Sequence, residues 1–531
     1  MRAFPDQHFP PCTTDAASES SVCSGPWRRA IVLLTPTLSS AILYAYCFPP
    51  HSVRPLAWIA LCPFFAAAAR AQPRCAALLG LCWSIAAAYG VGWWFPGMIV
   101  DYFELPSAAG WIGFVGAATA FAGVYYAAFA GWLSWSARCG VVNPLLIAMG
   151  WGVCEFARAR LFVPNPWALT GYALVGTEPL VQLADLAGPY GIGMLVAAVN
   201  GVIAGAFVPS LRGRRYLVSC IGISLACIGA AGYGEWRLSQ SFGSGQPITV
   251  TVIQGAIDRR FRWRQEYQSL GLQRYLSLSN KAVLDQPDLV VWPENAVGFY
   301  PQWKSVEQAR LLRASEVLGA DLLLGAPHFA VTPDGTFFYN SAFLVRAGTI
   351  AWRYDKLRPL PFAERPLVGS LLGPPDTAST PGRDLGLVRI AGTEVGVSIC
   401  VESMYPDLTR GLARAGAELL VVLSNDSWFG NIGPAQHLLD VATLRAVETR
   451  RYLVRATSTG VSAIVDPHGR PHGRIGVGEV GLRTQTLRGS TTSTPYQRWG
   501  DAPCWLVVAL VIMIIGRAYR RGERARSAGD V

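Results

Sequence analysis

The chain has 531 residues, of which 51% are hydrophobic and only 15% charged, with 18 Trp and a formal charge of +11. Charged residues make up about a quarter of an ordinary globular chain, so the composition excludes a wholly soluble protein. The basic excess lies in short loops beside apolar runs and at the C-terminal end, which is the pattern of membrane orientation and excludes nucleic acid as the partner.

Residues 1–27, rich in Ser, Pro and acidic side chains, contain no apolar run and read as a disordered cytoplasmic N-terminus. From 28 to 237, seven apolar stretches recur, each near the roughly 20 residues a spanning helix needs. They cover 30–48, 55–71, 75–97, 108–136, 141–161, 188–209 and 216–235, and predict a membrane domain of about seven transmembrane helices. The first reads as an uncleaved anchor, because a long polar stretch precedes it and bulky Tyr46 stands where a cleavage site wants a small residue. An eighth stretch, 504–516, predicts a C-terminal transmembrane helix over 501–519, followed by a basic cytoplasmic tail, 520–531.

Threaded alternately, the spans put Arg28, Arg29, Arg70, Arg74, Arg138, Arg212, Arg214, Arg215 and the arginines after 516 on one side. The short loops opposite offer Arg54, Arg158 and Arg160. The positive-inside rule then makes both termini cytoplasmic and turns 238–500 outward. In a bacterium with two membranes, that places it in the periplasm. Glu155 and Arg158 interrupt the fifth run, three residues apart. They could pair across one helical turn, as a structural pair or as functional charges at membrane depth.

Past 238 the texture changes. Short Val, Ile and Leu runs at 248–254, 288–294, 321–326, 394–400 and 418–424 read as buried strands, and 264–284, 304–318 and 434–451 as helices. That alternation predicts an α/β domain with covered sheets. Three reactive side chains follow strand-like runs: Glu294 after "DLVVW", Lys356 after "TIAWRYD" and Cys400 after "VGVSI". Ligands bind at the carboxyl ends of strands in such sheets. A carboxylate, an ammonium and a thiol meeting there could transfer acyl groups, as base, oxyanion partner and nucleophile. Cys400 is the one cysteine between 238 and 500, and Lys356 is one of three lysines in the chain. Taken singly, a cysteine ending a buried strand is usually a small hydrophobe.

In this order, "WPEN" (292–295), "YDKLRPLPFAE" (354–364) and "SICVES" (398–403) resemble the Glu–Lys–Cys triad of the nitrilase superfamily. Spans on both sides narrow the resemblance to the apolipoprotein N-acyltransferases, and "SNDSWFG" (424–430) and "VIQGAIDRRFRW" (252–263) look like segments of that family. The resemblance implies a polytopic α-helical membrane domain plus an α/β nitrilase-like domain, an α-β-β-α sandwich over 238–500. It implies Glu294 as base, Lys356 as oxyanion partner and Cys400 as nucleophile, with Glu364 and Glu402 as supporting glutamates and Trp263, Trp428 and Phe429 along the substrate approach. It further implies a membrane phospholipid as acyl donor and diacylglyceryl-modified apolipoproteins as acceptors, at the bacterial inner membrane. No metal, nucleotide or other cofactor is implied, since the chain has no Cys/His cluster at ligand spacing and no phosphate loop. Two departures bear on the acyl pocket and the lid: Val401 replaces an aromatic residue, and Ala363-Glu364-Arg365 replaces a Gly-Glu-aromatic run. The rival readings are a membrane-tethered amidase that passes its acyl group to water, and a non-catalytic lipid-binding protein.

Overall fold

The computed structural model describes residues 26–212, 214–257, 265–361, 363–365, 379–428 and 432–527. The N-terminal part is helical: α1 (Pro26–Tyr46), α2 (Cys62–Arg70), α3 (Pro73–Gly92), α4 (Phe95–Phe103), α5 (Ser107–Arg138), α6 (Pro144–Arg158), α7 (Ala184–Phe207) and α8 (Arg214–Leu238). Large apolar side chains on α8, such as Leu217, Ile221, Leu225 and Ile228, stand exposed, which suits a helix facing lipid.

The expected span 55–71 is not one helix. Pro55 and Pro63 start two separate pieces, a 3-10 turn over Arg54–Trp58 and the nine-residue α2. Nine residues rise about 14 Å, short of the about 30 Å of a bilayer core. The run is apolar because α2 is packed inside the bundle, with Phe64, Phe65 and Ala68 fully buried. The expected span at 188–209 also starts earlier, at Ala184, and breaks at Ala187 and Gly188 (φ 60°) just before Pro189.

The second part holds two six-stranded sheets. The first joins β1 (Pro247–Gln254), β2 (Leu289–Val291), β3 (Asp321–Thr332), β4 (Gly335–Arg346) and β5 (Thr349–Asp355). The second joins β6 (Gly386–Ile390), β7 (Thr393–Ile399), β8 (Leu419–Ser424), β9 (Leu453–Thr457), β10 (Ser462–Val465) and β11 (Pro471–Ile475), while β12 (Gly481–Arg488) returns to the first beside β1. Each sheet has a parallel centre, β1–β2–β3 and β7–β8–β9, with antiparallel flanks.

The strands read as unbroken apolar runs because both of their faces are covered. Inward residues such as Val250, Val291, Val397 and Val421 share one core between the sheets. Val290, Trp292 and Leu322 face outward onto Tyr275 of α9 (Gln265–Ala282) and Leu311 of α10 (Val306–Leu318). Leu420 and Val422 face Leu412 of α11 (Pro406–Arg414) and Leu439 and Ala442 of α12 (Ile432–Thr449). The result is an α-β-β-α sandwich, and α13 (Ala502–Ser527) leads away from it. Among the described residues, α3, α5, α7, α8 and Ala502–Arg520 of α13 are long and apolar enough to cross a membrane.

The helix α12 also seats the sandwich on the membrane domain. His437 accepts a hydrogen bond from the Ala168 N–H (3.1 Å), and Arg445 donates to the Tyr172 hydroxyl (3.1 Å). Just past its end, Arg450 donates twice to buried Asp185, at 2.9 and 2.7 Å. The carboxyl ends of β7 and β8 are thereby held over the apolar helices.

Candidate active site

Cys400 sits where β7 turns into a 3-10 helix (Cys400–Met404), with φ at +56°. A non-glycine residue in that region is strained and persists only where its surroundings hold it. Glu402 holds this one. Fully buried, it accepts from Ile399 N–H (2.7 Å), Leu357 N–H (2.7 Å), Arg358 N–H (3.0 Å) and the Tyr354 hydroxyl (2.9 Å to each oxygen). One carboxylate thus ties the cysteine turn to the segment that carries Lys356. Burial pushes the Glu402 carboxyl upward against the Ile399 N–H and the Lys356 ammonium.

Glu294 follows β2 on a short loop that Pro293 opens. Gly325 of β3 lets that loop lie close, since a Cβ there would meet Glu294 Cα at 2.5 Å, and Gly325 N–H donates to Pro293 O (3.1 Å). Lys356 follows β5 and is fixed by its own N–H to Asn340 O (2.9 Å). Its ammonium donates to both oxygens of Glu364, at 3.0 and 2.8 Å, and lies 3.5 Å from Glu294 Oε1. Asn340 Nδ2 donates to Glu294 Oε1 and to Glu364 Oε1, both at 2.7 Å. The other Glu294 oxygen, Oε2, is buried without a hydrogen-bond partner among the described residues.

The cluster has two carboxylates for one ammonium, and the protonation of each group follows from that. Burial lowers the Lys356 pKa, but Glu364 and then Glu294 outweigh it and hold the ammonium well above its ordinary value. Burial raises the Glu364 carboxyl, yet the Lys356 charge wins and keeps it below its ordinary value. For Cys400, burial and then the Glu294 charge push the thiol up, more than Lys356 pulls it down. The resting sulfur is therefore a thiol, with an open carboxylate oxygen in its neighbourhood.

An apolar cavity of about 290 Å³ is lined by residues that follow Lys356 and Cys400 in the chain, Leu360 and Val401 among them. Val401, Met404 and Tyr405 wall it on the sandwich side, and Trp83, Phe114 and Phe121 on the membrane side. Val401, one of the two departures, is thus part of the cavity wall. Of the remaining candidates, Trp263 and Phe429 lie outside the described residues, as does the side chain of Trp428.

Asn340 is absent from the residues read off the sequence. Its signal was an amide inside the apolar strand β4, a position where Asn is depleted. Glu155 and Arg158 do not pair as the sequence suggested. Glu155 Oε1 accepts from Thr170 N–H and Oγ1–H (both 2.8 Å), while Arg158 Nη1 donates to Asn165 O and Trp167 O (both 2.9 Å).

The carbon-nitrogen hydrolase family matches residues 249–496, and the apolipoprotein N-acyltransferase N-terminal domain matches 40–202. A protein of Geobacter metallireducens named apolipoprotein N-acyltransferase is 32% identical over 91% of this chain and 94% of its own. One of the same name from Methylococcus capsulatus is 32% identical over 92% of this chain and 96% of its own. Among solved structures, an amidase of the nitrilase superfamily from Nesterenkonia AN1 overlays at a TM-score of 0.38 with 20% identity, covering 50% of this chain and 98% of that one.

Proposed function

The chain belongs to the apolipoprotein N-acyltransferase family, and from that premise we propose that it carries one fatty acyl chain from a membrane phospholipid, through a thioester on Cys400, to the α-amine of the diacylglyceryl-cysteine of apolipoproteins. The observation that carries the reading is the open Glu294 Oε2 in a buried cluster with Lys356 and a strained Cys400.

In the first half-reaction Cys400 Sγ attacks the ester carbonyl while Glu294 Oε2 takes the thiol proton. A thiol held protonated needs that transfer, because the thiolate is the nucleophile. The Lys356 ammonium, fixed by Glu364, stabilises the oxyanion. The carbon–oxygen bond breaks, the lysophospholipid leaves with the proton, and the acyl chain stays on sulfur with its tail in the apolar cavity. In the second half-reaction the amine attacks the thioester, the carbon–sulfur bond breaks, and the amine proton returns through Glu294 to sulfur. Glu402 acts on neither step directly; it is a positioning residue for the Cys400 turn.

In this reading both termini are cytoplasmic, the sandwich lies on the periplasmic face of the inner membrane, and both lipid substrates reach Cys400 from the bilayer. The test is the mass of the Cys400 peptide after incubation with phospholipid vesicles. We expect a fatty-acyl increment, released by neutral hydroxylamine and missing in Glu294→Gln. An unmodified peptide with free fatty acid released would point to an amidase-like hydrolase. An unmodified peptide with no fatty acid released would point to a non-catalytic lipid binder.

A further inference from the structure

Arg158 ends α6, yet its side chain belongs to a residue only 3% exposed. Its Nη1 holds the following loop through the carbonyls of Asn165 and Trp167. Its Nε and Nη2 make no well-aligned hydrogen bond among the described residues, although the Tyr126 side chain lies beside the guanidinium, 5.7 Å from ring centroid to Cζ. Those two N–H groups share one edge of the guanidinium and point the same way, which is the fork that grips two oxygens of one oxyanion.

The position of the fork suggests what it meets. Arg158 lines the same cavity as Val401 and Met404, which belong to the turn that begins at Cys400. Glu155, one turn back, offers it charge but no hydrogen bond: Oε1 is taken by Thr170, and Oε2 lies against Gly193, where an added Cβ would come within 2.8 Å. A buried guanidinium edge without well-aligned acceptors is costly, and a pair of oxygens on one molecule would complete it. The rest of the cavity wall is largely aromatic and aliphatic, so oxygens that complete this edge would arrive on an otherwise apolar molecule.

We infer that Arg158 binds the phosphodiester of the donor lipid. Nε–H and Nη2–H take two phosphate oxygens, one acyl chain lies among the cavity aromatics, and the ester carbonyl is thereby presented to Cys400. An ester carbonyl is the weaker occupant, because it brings one oxygen and no charge to a charged two-donor edge. Arg158 is then a determinant of donor specificity: it selects acyl donors by their phosphate, whatever headgroup lies beyond. The inference rests on the acyl-transfer reading and adds a binding site to it.

The experiment compares two acyl donors, phosphatidylglycerol and an uncharged 4-nitrophenyl ester of the same fatty acid. The readout is thioester formation on Cys400 of the full chain in detergent micelles. In Arg158→Gln the rate at subsaturating phosphatidylglycerol should fall roughly tenfold to a hundredfold more than the rate with the uncharged ester, as loss of a charged hydrogen-bonding pair implies. The loss should appear mainly in KM. Arg158→Lys, which keeps the charge without the fork, should fall between. Equal losses on both donors would mean that Arg158 only holds the 165–167 loop, and would overturn the inference.

If Arg158→Gln does not fold, the wild-type chain supplies the same test. Dodecyl phosphate should compete with the uncharged ester more strongly than dodecanol does, and equal competition would overturn the inference. Thioester from the uncharged ester on the wild-type chain keeps the acyl-transfer reading standing whichever way Arg158 falls. No thioester from either donor would sink both.

Discussion

Glu402 and Glu294 are both buried carboxylates in the neighbourhood of one cysteine, and their surroundings are opposites. Glu402 accepts from three backbone N–H groups and a tyrosine hydroxyl, so both of its oxygens are occupied. Glu294 accepts from Asn340 on one oxygen and keeps the other empty. A saturated carboxylate can take a proton only by giving up bonds that hold the chain in place. An open one can take it at no structural cost. In the proposed reaction the same residue type is scaffold in the first pocket and base in the second, and the difference in hydrogen-bond occupancy is what supports that division.

The largest effect that follows is at Glu294. Glu294→Gln should slow Cys400 acylation by roughly 10²- to 10⁴-fold, the range of a lost general base, with little change in melting temperature. Alkylation by iodoacetamide should move the other way. The Glu294 charge is one of the groups raising the Cys400 thiol, so its removal lets the thiol ionise at lower pH and speeds alkylation near pH 8. A fall in both rates would erase the distinction between the two pockets, because Glu294 would then be holding Cys400 in place as Glu402 does.

A smaller loss should come from moving Glu294 without changing it. Gly325→Ala puts a methyl group against Glu294 Cα and Asn295 N, at 2.5 and 2.7 Å. Both are backbone atoms, so the loop must shift. A displacement of about an ångström costs on the order of 10²-fold when the geometry of attack depends on it. Acylation kinetics should show that loss with the pH dependence retained. A full loss with altered pH dependence would mean that the open oxygen had been closed rather than moved.

Much of this was legible in the sequence, and the gaps have physical causes. Glu294, Lys356 and Cys400 each follow an apolar run, the resemblance singled them out together, and the five expected strands all lie in the two sheets. Asn340 was missed because β4 pairs with neighbours on either side, and the contact to Glu294 spans 46 residues. The partners of Glu402 include groups 44 to 48 residues earlier in the chain, which no local pattern records. Residues 55–71 misled for a different reason. Hydropathy measures how apolar a run is, not whether lipid or protein covers it, and α2 is covered by protein.

Glu402→Gln should act on stability before chemistry. An amide presents two N–H donors to a nest of four donors, so at least one backbone N–H is left without an acceptor, at a cost of about 1–3 kcal/mol. The melting temperature should fall by several degrees. Cys400 acylation should drop with it, because the residue at φ +56° loses its anchor. If stability held and activity alone collapsed to the level of Glu294→Gln, Glu402 would belong to the reactive pocket.

The smallest change tests whether the nest acts as a unit. Tyr354→Phe removes one hydroxyl, which reaches both Glu402 oxygens at 2.9 Å. The ring, buried and stacked on Trp352 at 6.3 Å between centroids, stays. The backbone donors of Ile399, Leu357 and Arg358 still fill the carboxylate, so the loss should be about 1 kcal/mol and the acylation rate should change little. In the double variant Tyr354→Phe/Glu402→Gln the two losses should not add, since groups that share a partner couple by about 0.5–3 kcal/mol. Additive losses would mean that Tyr354 and Glu402 stabilise the fold separately. The Cys400 turn would then rest on the three backbone bonds alone, and the contrast with the open Glu294 pocket would narrow to that count.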